Sequence, residues 1–181
     1  MTDGEAEIWE AIEKLGLQKC NQGNGAMITN AVSMYLTFNL GELICGLDVQ
    51  RIREIVGLVD IQSLEAAPPC VCGVVNLRGR IIPVLDLKVR FGLARVEPDK
   101  QSCIVVVQEQ GENAESLVGL LVDRVVEVIE PNQDEIKIPP EDDSGAAPDL
   151  ISGVVKVEEK VIILLDIQPF FKEIEEASLG N

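Results

Sequence analysis

Gly73-Val74-Val75-Asn76-Leu77-Arg78-Gly79-Arg80-Ile81-Ile82-Pro83-Val84-Leu85-Asp86-Leu87 is the stretch that decides the fold, because the chain repeats it. It returns as Gly153-Val154-Val155-Lys156-Val157-Glu158-Glu159-Lys160-Val161-Ile162-Ile163-Leu164-Leu165-Asp166-Ile167. The offset from Gly73 to Gly153 is 80 residues and holds without a gap over fifteen positions. Apolar residues answer apolar ones, and Asp86 answers Asp166. Each copy reads as two apolar strands joined by a short polar turn, the pattern of a β-hairpin. Only the polar tip changes: Asn76, Arg78 and Gly79 become Lys156, Glu158 and Glu159.

A second match lies upstream of the first. Gly46-Leu47-Asp48-Val49-Gln50-Arg51-Ile52-Arg53-Glu54-Ile55-Val56 returns as Gly119-Leu120-Leu121-Val122-Asp123-Arg124-Val125-Val126-Glu127-Val128-Ile129, 73 residues on. Gly, Arg and Glu coincide. The two matches keep the same order, so the chain contains two similar units, over about residues 35–95 and 102–170. Units of this size have marginal cores alone. They are expected to pack on each other and share core.

The rest of the chain fills in the pattern. Residues 4–18 read as a short amphipathic helix, with Ile8, Ile12 and Leu15 on one stripe, and Asn21 to Gly25 as a linker. Strands are expected over Tyr35–Leu40, Leu43–Leu47, Ile52–Leu58, Val71–Leu77 and Arg80–Leu87. Asp48 is placed to cap a helical turn over Val49–Arg51. Pro83 suggests an edge strand or a bulge. Lys88 to Leu93 reads as a helical turn. The second unit offers Cys103–Gln108, Ser116–Val122, Val125–Glu130, Ile136–Ile138, Ile151–Val157 and Val161–Ile167. Residues 111–115 form a hairpin connection, and Pro139 to Pro148 an acidic loop. A short closing helix starts at Pro169. Short strands at close spacing mean an all-β barrel or sandwich.

Composition narrows the function. Fifteen basic and 31 acidic residues give a net charge of −16. That field repels phosphate backbones and anionic membrane surfaces, and suits a basic protein partner. No apolar run reaches membrane-spanning length, and no signal peptide precedes the first unit, so a cytoplasmic protein without membrane insertion is expected. Five cysteines, at 20, 45, 70, 72 and 103, and no histidine read as reduced, mostly buried thiols. They do not make a metal site. No phosphate loop or dinucleotide fingerprint occurs, and the carboxylate clusters fall in loops. The sequence therefore reads as a non-enzyme without cofactors that works by surface recognition. Arg78 is its best single candidate. Arginine is enriched at interface centres, Gly79 beside it allows close approach, and the repeat shows that the hairpin does not need arginine, because Glu158 fills the equivalent place.

Phe38-Asn39-Leu40-Gly41-Glu42, Leu47-Asp48-Val49 with Ile52-Arg53-Glu54-Ile55, and above all Gly73 to Leu87 resemble the CheW family of chemotaxis coupling proteins. The resemblance covers roughly residues 33–173. It implies two similar small SH3-like five-stranded β-barrels packed around a shared core, with short flanking helices. The domain assignment is then an N-terminal extension with a short helix over 1–32, a CheW-like domain over 33–175, and a tail over 176–181. The resemblance also implies an adaptor in receptor arrays. Its partners would be the CheW-like regulatory domain of a CheA-type histidine kinase and the cytoplasmic tip of methyl-accepting chemoreceptors. The kinase and the adaptor would associate barrel to barrel, with the receptor's helical hairpin in the groove between barrels. Carried over by motif, Ile52, Glu54, Gly73, Asn76, Arg78 and Gly79 are the candidate partner-binding residues. A scaffold of a non-flagellar pathway for pili, gliding or gene regulation would carry the same residues.

Overall fold

The computed structural model describes residues 32–110, 115–138 and 148–179. Residues Ser33–Asn181 form one compact unit. The expected helix over 4–18 lies outside the described residues.

Among the described residues, ten strands build two five-stranded sheets. The first five are β1 (Tyr35–Leu40), β2 (Leu43–Asp48), β3 (Ile52–Gly57), β4 (Val71–Leu77) and β5 (Arg80–Asp86). The one-turn helix α1 (Leu87–Arg90) follows. Then come β6 (Cys103–Gln108), β7 (Leu117–Val122), β8 (Arg124–Ile129), β9 (Ile151–Val157) and β10 (Lys160–Leu165), closed by α2 (Gln168–Leu179). The expected all-β architecture is present. Most strand ends fall within one or two residues of expectation, and two differences have a structural reason or consequence. Residues 136–138 make a single bridge, Lys137 to Val154, instead of a strand. The helix after β5 starts at Leu87 because the Asp86 side chain accepts from Lys88 N at 3.0 Å and caps it there.

The sheets do not coincide with the sequence repeats. One sheet runs β8-β1-β2-β10-β9, the other β3-β6-β7-β5-β4. Each takes strands from both units. The exchange is symmetric to the residue. Leu164 lies opposite Gly46 in the parallel pair β10–β2, and Val84 lies opposite Gly119 in the parallel pair β5–β7. Glu54 pairs with Val106 across β3–β6, and Glu127 with Thr37 across β8–β1. Each sheet is closed by one bridge to the segment after its outer strand, Gln62–Val74 in one and Lys137–Val154 in the other.

The residues on which the repeats agree now have structural reasons. A Cβ on Gly46 would lie 2.8 Å from Leu164 Cδ2, and one on Gly119 2.7 Å from Ile104 Cγ2. Asp166 caps α2 through Gln168 N at 2.9 Å, as Asp86 caps α1. Pro83 is not on an edge strand, since β5 lies between β7 and β4. It is tolerated because its partner Val74 spends both backbone groups on Gln62, and the ladder to β7 starts only at Val84.

Two barrel interiors follow from strand alternation. Val75, Ile82, Val84, Ile104, Val106 and Leu121 fill one. Ile129, Val155, Ile162 and Leu164 fill the other. Residues of opposite parity, such as Leu36, Phe38, Val105 and Val107, belong to neither interior and are nonetheless fully buried. They form the layer shared between the sheets. Burying each large apolar side chain contributes about 1.5–3 kcal/mol, so this layer explains how two small barrels are stable together.

Two polar pins sit where the chain crosses between sheets. Lys88 Nζ, 3% exposed, pairs with Asp123 Oδ1 at 2.5 Å, and Asp123 Oδ2 accepts from Gly41 N at 2.7 Å. At the equivalent crossing, buried Arg51 donates to Gln108 O (3.2 Å) and to Gln168 Oε1 (3.1 Å). Burial lowers the Arg51 pKa, opposed by Asp166, Asp48 and Glu109. Arg124, which the repeat aligns with Arg51, is exposed. That match is therefore one of residue type and not of role.

Candidate functional site: the β4–β5 hairpin tip

The β4–β5 hairpin turns through Arg78 and Gly79, with φ of +51° and +82°. Two left-handed residues in a two-residue loop are what a type I′ turn needs, and its twist matches the flanking strands. Asn76 belongs to this turn: its Oδ1 accepts from Gly79 N at 3.0 Å. A Cβ on Gly79 would meet nothing within 4 Å, so the glycine serves the turn conformation and leaves open space. Arg78 takes a left-handed conformation at a cost of about 1–2 kcal/mol. Glu158 takes it too, at +56°. The strain is thus a property of both hairpins.

The guanidinium itself differs. Arg78 Nη2 lies 3.3 Å from Glu54 Oε2, and the side chains are 85% and 19% exposed. Two of the candidate residues are therefore an ion pair that joins the hairpin tip to β3. An exposed pair of this kind contributes about 0.2–1 kcal/mol to stability. Its larger effect is to hold a mostly solvated arginine fork in one direction. In the other barrel the same positions carry two exposed carboxylates, Glu127 and Glu158, and the tip is held by Lys156 with Glu159 at 3.4 Å.

The remaining candidates separate from this pair. Ile52 is half-buried at the start of β3, opposite Val107. Gly73 is buried, and a Cβ there would lie 2.2 Å from Gln62 O. Its requirement is the bridge that closes the barrel, where Gln62 and Val74 exchange two backbone hydrogen bonds of 2.9 Å. The tip therefore brings together Glu54, Asn76, Arg78 and Gly79, while Gly73 supports it from inside.

Apolar surface flanks the tip, which the sequence reading did not single out. Ile81, just after the turn, is 63% exposed, and Leu58, Val59 and Leu64 after β3 are also exposed. The signal was present in the strand period: Ile82 points into the barrel, so Ile81 must point out. A groove of about 260 Å³ lies beside Ile81, lined also by Pro83, Leu117, Phe171, Glu109 and Glu115. Cys45 and Cys72 are poor nucleophiles: burial pushes Cys45 up to about 12, and burial with Asp86 nearby pushes Cys72 up to about 11. No group of three or more ligating side chains that could hold a metal occurs among the described residues. Among them, no helix is long and apolar enough to cross a membrane.

Comparison with known proteins shows the family that this fold belongs to. The family model of the CheW-like domain matches residues 34–175. Chemotaxis protein CheW of Treponema pallidum is 33% identical over 150 residues, covering 81% of this chain and 86% of that protein. Chemotaxis protein CheW of Thermotoga maritima is 33% identical over 139 residues, covering 77% and 87%. The crystal structure of the scaffolding protein TtCheW from Thermoanaerobacter tengcongensis superposes with a TM-score of 0.71 at 32% identity, over 82% of this chain and 94% of that one. With the family model spanning both barrels and the Arg78–Glu54 tip, the chain belongs to the CheW-like domain family.

Proposed function

We propose that this protein is a non-catalytic adaptor that couples the cytoplasmic tip of methyl-accepting chemoreceptors to a CheA-type histidine kinase. The observation that carries the reading is the Arg78–Glu54 pair at the β4–β5 tip. It presents an oriented, solvated arginine on one barrel and is replaced by two carboxylates on the other. That asymmetry makes one barrel end suited to a partner surface that the other end rejects, since like charges brought together suppress wrong partners. The exposed Ile81 beside it supplies apolar area for the centre of such an interface. The kinase's CheW-like regulatory domain is the partner for the barrel end, with the receptor hairpin in the groove between barrels. On this reading the protein works in cytoplasmic receptor arrays. A net charge of −16 keeps it soluble and off nucleic acid. The test is purification of the tagged chain from its own cells, with identification of bound proteins. A chemoreceptor and a histidine kinase are expected together. Recovery of neither, from cells shown to express both, refutes the reading.

A further inference from the structure

The two halves of the chain are interlocked and not adjacent. Take the first half as 33–91 and the second as 102–179. Four strand pairings lie within a half: β1–β2, β4–β5, β6–β7 and β9–β10. Four lie between halves: β1–β8, β2–β10, β3–β6 and β5–β7. Without its complement each half is two hairpins and a lone strand, and isolated hairpins are marginal in water. One covalent connection joins the halves, residues 92–101. It holds no helix or strand and is exposed nearly throughout. Arg95 tethers it, through Pro69 O at 2.9 Å and Asp86 at 3.7 Å.

We infer that the partner each half recognises is the opposite half of any copy of this chain, so that two copies can exchange halves. The first half of one copy then completes both sheets with the second half of another. Every inter-half pairing is made by strands and not by the connection, so the ladders are the same in cis and in trans. The connection decides only which is populated. A short flexible tether gives its ends an effective concentration of about millimolar, so the unaltered chain is monomeric at micromolar concentration. Exchange is exposed when the cis partner is disabled, as in domain swapping generally.

The test uses two full-length variants at equivalent positions, Leu47→Asp in β2 and Leu120→Asp in β7, whose side chains are 1% and 0% exposed. Each places a charge in the core through one half and leaves the other half competent. Refolded separately, each is expected to lack a cooperative thermal transition. Refolded together, they are expected to restore a transition at the unaltered chain's temperature, with up to half its amplitude and the mass of a dimer. A mixture that equals the sum of its separate parts overturns the inference. A second variant covers the case in which a single substitution is tolerated: deletion of Val96–Lys100 shortens the connection. That chain is expected to run as a dimer by light scattering, with an unaltered circular dichroism spectrum. A monomer of unchanged stability overturns the inference equally.

Discussion

Replacing Gly73 by alanine separates the structural glycine of the repeated motif from the recognition residues around it. The added Cβ would lie 2.2 Å from the Gln62 carbonyl oxygen and 2.7 Å from its carbon. Both are backbone atoms, so no side-chain rotation relieves the clash. β4 or the segment after β3 must move. The movement breaks the Gln62–Val74 bridge, with its two hydrogen bonds of 2.9 Å, each contributing about 0.5–1.5 kcal/mol. Residual backbone strain adds about 1–3 kcal/mol. The expected loss is about 4 kcal/mol, or roughly 8–16 °C in Tm for a domain of this size. Gly79→Ala is the control. Its Cβ meets nothing within 4 Å, and only the left-handed φ of +82° opposes it, at a cost of about 1 kcal/mol. Calorimetry or thermal circular dichroism reads both. A Gly73→Ala protein that melts within 2 °C of the unaltered chain, at about the level of Gly79→Ala or above it, refutes the assignment of Gly73 to barrel closure.

Further outcomes follow from the polar pins and the thiols. Lys88→Met removes the cation opposite Asp123 and is expected to destabilise by about 2–4 kcal/mol in denaturant titration, whereas Arg124→Met, on the exposed aligned partner of Arg51, is expected to change stability by less than about 0.5 kcal/mol. Arg51→Met strips donors from Gln108 O and Gln168 and is expected to cost about 2–3 kcal/mol. Burial raises the Cys45 thiol from 9.0 to about 12. The folded state thus holds that proton more tightly than the unfolded one. Its contribution to stability is full below pH 9 and is lost as pH rises toward 12. Thiol labelling at pH 8 is expected to reach Cys45 only on the timescale of unfolding. Rapid labelling of native protein at that residue contradicts its burial.

The strands were legible in the sequence because short β-segments announce themselves by alternation and by turn residues. The cap at Asp48 was legible for the same local reason, whereas the cap at Asp86 emerged only with the start of α1 at Leu87. What could not be read was which strand pairs with which. The repeat implied two units, but a repeat fixes similarity and not partnership. The exchange of β3 for β8 between sheets depends on long-range register, such as Leu164 against Gly46. The site was half legible. Comparing the repeats isolated Arg78 as the variable residue and Glu54 as a shared one. It could not show that the two make an ion pair, because 24 residues separate them and their strands lie at opposite edges of one sheet. Gly73 was grouped with the tip by its motif, and only the Gln62 carbonyl above it reveals its different role. Ile81 was overlooked because Ile81 and Ile82 are both apolar: the strand period says that they face opposite ways, and only the burial of Ile82 says which one is wet.

The most direct test of the account is binding of the kinase's CheW-like regulatory domain to three full-length proteins: the unaltered chain, Arg78→Glu, and Glu158→Arg. The ion pair adds at most about 1 kcal/mol to stability, so all three are expected to melt within a few degrees of one another. Loss of a charged anchor at an interface costs about 2–5 kcal/mol, so Arg78→Glu is expected to weaken binding by about 30-fold or more, measured by titration calorimetry. Glu158→Arg, the same turn position on the other barrel, is expected to bind within about threefold of the unaltered chain. Equal affinity for Arg78→Glu and the unaltered chain would contradict the claim that the asymmetry between the two hairpin tips is what the partner reads.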